Sequence, residues 1–171
     1  ERTVEDDKKF CAHFHEMFVQ RTDIGCLAFS RETKKLIGSG SLRHCRWEIP
    51  MFTLGFAVRT SETRKGYATE IGIALAKYAF ESLSAKKIAT FHADGNTGSR
   101  KVIEKIGFEK EGVLRRQHLL PGGIVADEHH YGMLDNIIGD SVVAVWGFHN
   151  RREDMVRHVM ETAFELGGIA N

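Results

Sequence analysis

Between residues 51 and 82 the hydrophobic pattern changes period, and this change restricts the fold more than any other feature of the chain. Phe52, Leu54, Phe56 and Val58 alternate along residues 51–59, the mark of a strand with one buried face. Tyr67, Ile71, Ala74, Tyr78 and Ala79 then share one face of a helix over residues 65–82. The junction reads Arg64-Lys65-Gly66-Tyr67-Ala68-Thr69. A helix start leaves backbone N–H groups without intrahelical partners and carries the positive end of the dipole. Gly66 and Ala68 would let a pyrophosphate approach that backbone, with Arg64 and Lys65 adding charge. Taken alone, the same residues also describe an ordinary solvated helix N-terminus.

The flanking segments give the rest of an α+β domain. Thr3 is placed to cap a first helix, with Glu5, Asp6 and Asp7 in its opening turn. Phe10, Phe14, Met17 and Phe18 form its apolar stripe. Strands are expected at residues 26–30 and 36–42, joined by the charged turn 31–35. A strand at 87–93 and a helix carrying Val102, Ile103 and Ile106 follow, with Gly107 as left-handed terminator and Phe108 folding back on Ile103. Strand, helix, strand, helix implies a parallel crossover in an otherwise antiparallel sheet. Strands at 112–120 and 124–134 meet at Pro121-Gly122-Gly123. Beyond them lie an apolar segment at 142–146 and a helix at 151–166 ended by Gly167-Gly168. Met155, Val159 and Phe164 of that helix are compatible with packing on the domain or on a second subunit as a homodimer.

Bulk composition removes several function classes. A chain of 171 residues, 42% hydrophobic and 27% charged, fits one globular domain. A net charge of +1 lacks the basic footprint of a dedicated nucleic-acid binder. Cys11, Cys26 and Cys45 are odd in number and have no metal-type spacing, as expected of reduced thiols. With no signal-peptide pattern and no apolar run of membrane-spanning length, the expected location is the cytoplasm, without a membrane partner.

A second block decides the reading of the first. Asn96-Thr97-Gly98-Ser99 precedes Arg100-Lys101-Val102-Ile103-Glu104-Lys105-Ile106-Gly107-Phe108. With Gly66-Tyr67-Ala68-Thr69-Glu70 in the right order and spacing, the chain resembles the GNAT superfamily of N-acetyltransferases over residues 3–134. Its nearest likeness is to the RimJ/RimL-type branch, which acetylates ribosomal-protein N-termini. The resemblance implies a mostly antiparallel central sheet flanked by helices, with 1–134 as catalytic domain and 135–171 as a C-terminal extension. It implies acetyl-CoA as co-substrate, no metal, and a primary amine as acceptor. Backbone groups of Ala57, Val58 and Arg59 should meet the pantetheine and thioester, and residues 64–69 the pyrophosphate. Asn96 should bond the cofactor arm, and Ser99 should lie near the coenzyme sulfur as proton donor. Glu111, Gly112, Arg115 and His118 match the strand facing the acceptor.

Three departures from the family's pattern matter. Thr63 stands where an Arg or Gln is usual, with Arg64 one place later. Thr53 stands where a Glu is common, two residues before Gly55, so the general base is not inherited from that site. The family's opening strand is also missing, so either the sequence starts after it or residues 142–146 take that edge. His118 is the preferred base, because it occupies a position where the branch often carries a carboxylate and imidazole titrates near neutrality. A polar strand residue facing water is the plainer account of the same histidine. His92, Glu48 and Glu111 are weaker candidates.

Nine histidines suggest a metal, but spacing opposes it. His13 and His15 fall on different helix faces, and His129 and His130 on opposite strand faces. Gly38-Ser39-Gly40 is not a dinucleotide loop, since Arg43 replaces the third glycine; small residues packing within a strand is the better account. Arg100, Lys101 and Lys105 read as a solvated helix face. A second function class stays open: a non-catalytic acyl-CoA-binding regulator that kept the fold and lost its base.

Overall fold

The computed structural model describes residues 4–135. In chain order these form α1 (Val4–Val19), β1 (Ile24–Phe29), β2 (Leu36–Arg46), β3 (Met51–Val58), α2 (Tyr67–Leu83), β4 (Lys87–Ala93), α3 (Thr97–Ile106), β5 (Glu109–Leu120) and β6 (Ile124–Leu134). The Thr3 cap, the segment 142–146 and the helix 151–166 lie outside the described residues. Among the described residues no helix is long and apolar enough to cross a membrane.

The six strands make one sheet in the order β1-β2-β3-β4-β6-β5. Every neighbour pair is antiparallel except β3 and β4. That parallel pair follows from α2, because parallel neighbours need a long crossover and a helix supplies it. The expected mixed, mostly antiparallel α+β sheet is therefore present.

Alternation along the strands sorts the sheet into two faces. One face carries Leu42, Phe52, Leu54, Ile88 and Met133, all buried, and α2 and α3 cover it through Ile71, Leu75, Ala79, Ile103 and Phe108. Gly40 makes this close packing possible: a Cβ there would lie 2.5 Å from Leu75 Cδ1 and 2.7 Å from Ile71 Cγ2. Gly38 and Gly40 thus act as small residues within β2.

The buried stripe of α2 differs from the expected one. Thr69, Ile71, Gly72, Leu75, Ala76, Ala79 and Phe80 are buried, whereas Tyr67, Ala74 and Tyr78 are only half-buried. The reason is that α2 touches two neighbours, the sheet and α3, the latter where Ile106 packs over Gly72. The first helix also departs from expectation. Phe14 and Met17 are half-buried but Phe18 is exposed, since among the described residues α1 meets the sheet at its rim, with the Phe14 ring against Gly25 of β1.

The end of α3 follows the sequence. Gly107 has φ +105°, its N–H donates to Glu104 O, and the Phe108 N–H donates to Ile103 O at 3.3 Å. This left-handed cap buries Phe108 beside Ile103.

Candidate active site

The sheet opens between β3 and β4. Their register runs Met51↔Lys87, Phe52↔Ile88 and Thr53↔Ala89 and stops, although β3 continues to Val58 and β4 to Ala93. At the apex the Thr90 hydroxyl donates to Leu54 O at 2.9 Å. Beyond it, β3 keeps its ladder to β2 only. Backbone groups of alternate strand residues point to opposite edges. The Arg59 N–H donates to Ile37 O at 2.9 Å, which turns Ala57 and Arg59 toward β2. Phe56 and Val58 therefore face the opening. Of the three residues expected to offer amides there, Val58 does so; Ala57 and Arg59 do not, and Phe56 was not among them. Strand parity alone could have separated these, had the pairing of β3 with β2 been fixed.

Past β3, a single 3-10 turn (Thr60–Glu62) leads to the start of α2. Thr63 closes that turn by donating its hydroxyl to Thr60 O at 2.9 Å. Arg64 and Gly66 both have positive φ, +62° and +88°. The first bond of the helix runs from the Glu70 N–H to Gly66 O, and no side chain caps the start. The amides of Tyr67, Ala68 and Thr69 precede that bond and point out of the helix end. The Thr69 side chain is buried in the core face, so this residue offers its amide rather than its hydroxyl.

Lys65 and Arg64 differ in what they leave available. Lys65 Nζ lies 2.9 Å from Glu62 Oε2, and this contact lowers the Glu62 carboxyl pKa and raises that of Lys65. Its charge is therefore already partnered. Arg64 is exposed and has no hydrogen bond or ion pair among the described residues.

Asn96 and Ser99 come together, but as a helix cap. Asn96 Oδ1 accepts the Ser99 N–H at 3.0 Å, which satisfies one open donor at the start of α3. The amide NH2 of Asn96 and the half-buried Ser99 hydroxyl remain for other partners. Arg100 pairs loosely with Glu104 at 3.9 Å, and Lys101 and Lys105 are exposed, as a solvated helix face requires.

The sheet face away from α2 and α3 carries the candidate acid–base groups. Thr53 sits on it, in the last paired register before the opening. Across the opening, His118 of β5 lies on the same face, with Nδ1 2.9 Å from Glu128 Oε1. The other carboxylate oxygen lies 3.0 Å from His130 Nε2. Phe91 of β4 stacks on the His130 ring at 5.4 Å and tilts toward His118 at 6.4 Å. The side chain of Glu128 is 11% exposed and that of His118 34%, so the carboxylate is enclosed while the imidazole can be reached.

Glu128 is the residue that sequence reasoning missed. Its signal was available: the Pro121-Gly122-Gly123 turn sets Leu120↔Ile124, hence His118↔Ala126, which brings Glu128 alongside His118. The other candidates go elsewhere. Glu111 is held by Lys87 at 2.6 Å, and Glu48 is exposed in the turn before β3. Gly112 and Arg115 are in β5, Gly112 half-buried and Arg115 exposed. His92 is buried on the helix-covered face, with Nδ1 near Ala93 O and Nε2 3.2 Å from the Tyr131 hydroxyl. His129 stacks on it at 4.9 Å, so His129 and His130 do point to opposite faces. Among the described residues no group of three or more such side chains is placed to hold a metal ion. A cleft of about 370 Å³ beside α3, lined by His92, Asp94, Asn96, Arg100, Lys110 and Tyr131, lies on that covered face.

The site thus combines an opened parallel pair, a helix start without a side-chain cap and ionisable groups on one sheet face. Residues 1–109 match the family described as Acetyltransferase (GNAT) domain. The chain belongs to that family. It is 29% identical over 104 residues to the uncharacterized N-acetyltransferase YoaA of Bacillus subtilis (strain 168), covering 61% of this chain and 58% of YoaA. It is 29% identical over 121 residues to the probable N-acetyltransferase YjcK of the same organism, covering 70% of this chain and 67% of YjcK. The match thus spans under three-fifths of YoaA. Among solved structures, a dodecameric spermidine N-acetyltransferase from Vibrio cholerae superposes with a TM-score of 0.70 at 18% identity, covering 78% of this chain and 77% of that one. At that identity the likeness concerns the fold.

Proposed function

We propose that this chain transfers an acetyl group from acetyl-CoA to a primary amine by direct attack. The observation that carries this reading is the opening between β3 and β4, where among the described residues the outward backbone groups of Phe56 and Val58 have no strand partner, ahead of a helix start built from Arg64, Gly66, Tyr67, Ala68 and Thr69. An extended pantetheine fits alongside such a strand edge, and a pyrophosphate fits the helix end. Residues 1–134 form the catalytic domain in this reading.

An alkyl ammonium with a pKa of about 10 must lose its proton before it attacks. His118 takes that proton from across the opening, in place of the carboxylate that Thr53 replaces. Amides of the open β3 edge stabilise the oxyanion as the carbonyl is attacked, and Ser99 returns a proton to the departing thiolate. The acceptor is a protein N-terminus, as in the RimJ/RimL-type branch that the Gly66–Glu70 and Asn96–Phe108 blocks together resemble, or a small amine of the kind named for the spermidine N-acetyltransferase neighbour.

The test is thiol release from acetyl-CoA over a panel of N-terminal peptides, polyamines and amino compounds. Turnover with at least one acceptor, with the acetyl group recovered on its amine, supports the enzyme. Coenzyme binding without turnover on any acceptor would favour the regulator, and no binding at all would end both readings.

A further inference from the structure

We propose that Glu128 is a positioning residue that fixes the tautomer of His118, with His130 as its second anchor. This rests on the acetyltransferase reading, with His118 as base. An ionised carboxylate is an acceptor only, so each ring nitrogen facing it must carry a proton. His118 Nδ1 at 2.9 Å from Oε1 is therefore an N–H, and the lone pair is placed on Nε2. A base needs that lone pair free toward the acceptor. By the same argument His130 Nε2, 3.0 Å from Oε2, donates to the other oxygen.

The arrangement satisfies both sides. Glu128 is buried, and a buried carboxylate needs donors on its oxygens. Both oxygens have one. Phe91, stacked at 5.4 Å and 23° on the His130 ring, packs against the second donor from β4. When His118 accepts a proton on Nε2, the resulting imidazolium keeps its Nδ1–H on a fixed negative partner. No proton passes on to Glu128.

Across the opening, the Arg43 guanidinium of β2 lies on the same sheet face, beside Gly55. From β6, Asp127 is turned away, accepting the Arg116 N–H at 2.8 Å. From β5, Arg115 and Arg116 are exposed, and Glu111 is neutralised by Lys87 of β4.

Glu128→Gln tests the idea. The amide has one acceptor oxygen and cannot serve both rings; an NH2 turned to His118 would force its proton onto Nε2 and remove the base. The turnover rate should fall about 10²-fold, the lower range of what a positioned base contributes. KM for acetyl-CoA should stay within about twofold of wild type, because a tenfold change would need 1.4 kcal/mol of lost binding. Adding Glu128→Gln to His118→Ala should cause no further loss. An unchanged rate in an active enzyme would overturn the role of Glu128 and leave the acetyltransferase reading intact.

A second readout needs no turnover and no variant. Imidazole 15N shifts of the wild-type protein above its histidine titrations should report His118 as the Nδ1–H tautomer. An Nε2–H form would overturn the proposal even if Glu128→Gln failed to fold. Absence of wild-type turnover with the Nδ1–H tautomer present would instead count against the acetyltransferase reading.

Discussion

Substitution of Gly66 separates what the loop needs from its backbone and what it needs from empty space. Gly66 has φ +88°, and a Cβ there would meet nothing within 4 Å among the described residues. Space in the free protein is thus no obstacle, and conformation is. A side chain in the left-handed region costs about 1–2 kcal/mol, more for a β-branched one and little for Asn. For a domain of this size that is roughly 2–4 °C in Tm per kcal/mol. The same cost, if relieved by the loop moving, lowers coenzyme affinity by about 5–30-fold, since 1.4 kcal/mol is a factor of ten. The open volume above Gly66 is also where a pyrophosphate would approach the amides of Tyr67 and Ala68, so a side chain there displaces the ligand. Gly66→Asn should therefore keep most of the stability but lose coenzyme affinity, whereas Gly66→Val should lose both, with affinity down more than tenfold. Thermal unfolding and calorimetric titration with acetyl-CoA measure the two separately. Wild-type affinity in Gly66→Val would refute the loop's role, and wild-type affinity in Gly66→Asn would reduce that role to conformation alone.

Other consequences can be checked as directly. His118→Ala should lower turnover by at least about 10²-fold and flatten the acidic limb of the pH profile; an intact limb would remove it as the base. Gly40→Val should destabilise by about 1–3 kcal/mol in urea unfolding, because its Cβ would lie 2.5 Å from Leu75 Cδ1 in a packed core; an unchanged midpoint would mean that α2 moves freely on β2. Cys11 is exposed whereas burial raises the thiol pKa values of Cys26 and Cys45, so mild alkylation at pH 8 should label Cys11 first, as peptide mapping would show. Burial, then the nearby Asp23, pushes the Cys45 thiol from 9.0 up to about 11. A raised folded value means stability that is present below pH 9.0 and lost as pH climbs toward about 11, and Cys45→Ala should lessen that alkaline loss.

Much of this architecture was legible because period, turn chemistry and crossover rules act locally. Alternation at Phe52 and Leu54, the Gly107 terminator and the strand–helix–strand run each define an element without reference to distant residues. What escaped depended on which neighbours meet. The buried stripe of α2 shifted because α3 covers a second side at Gly72, and Phe18 is exposed because, among the described residues, α1 packs on the rim of the sheet. In the candidate site, Gly66 and Ser99 were visible as motifs, but the occupied cap of Asn96 and the Glu62 partner of Lys65 were not. Glu128 was hidden because its importance lies in contacts across a hairpin. A carboxylate between two histidines looks unremarkable until register places it.

The central claim is one of place: that acetyl-CoA lies in the opening between β3 and β4 with its pyrophosphate on the start of α2. A crystal structure of the complex tests it most directly. The thioester should lie against the amides of Phe56 or Val58, with the pyrophosphate within hydrogen-bond reach of the amides of residues 66–69 and of Arg64. Coenzyme bound instead in the cleft between α3, His92 and Tyr131, with the β3–β4 opening empty, would contradict the account.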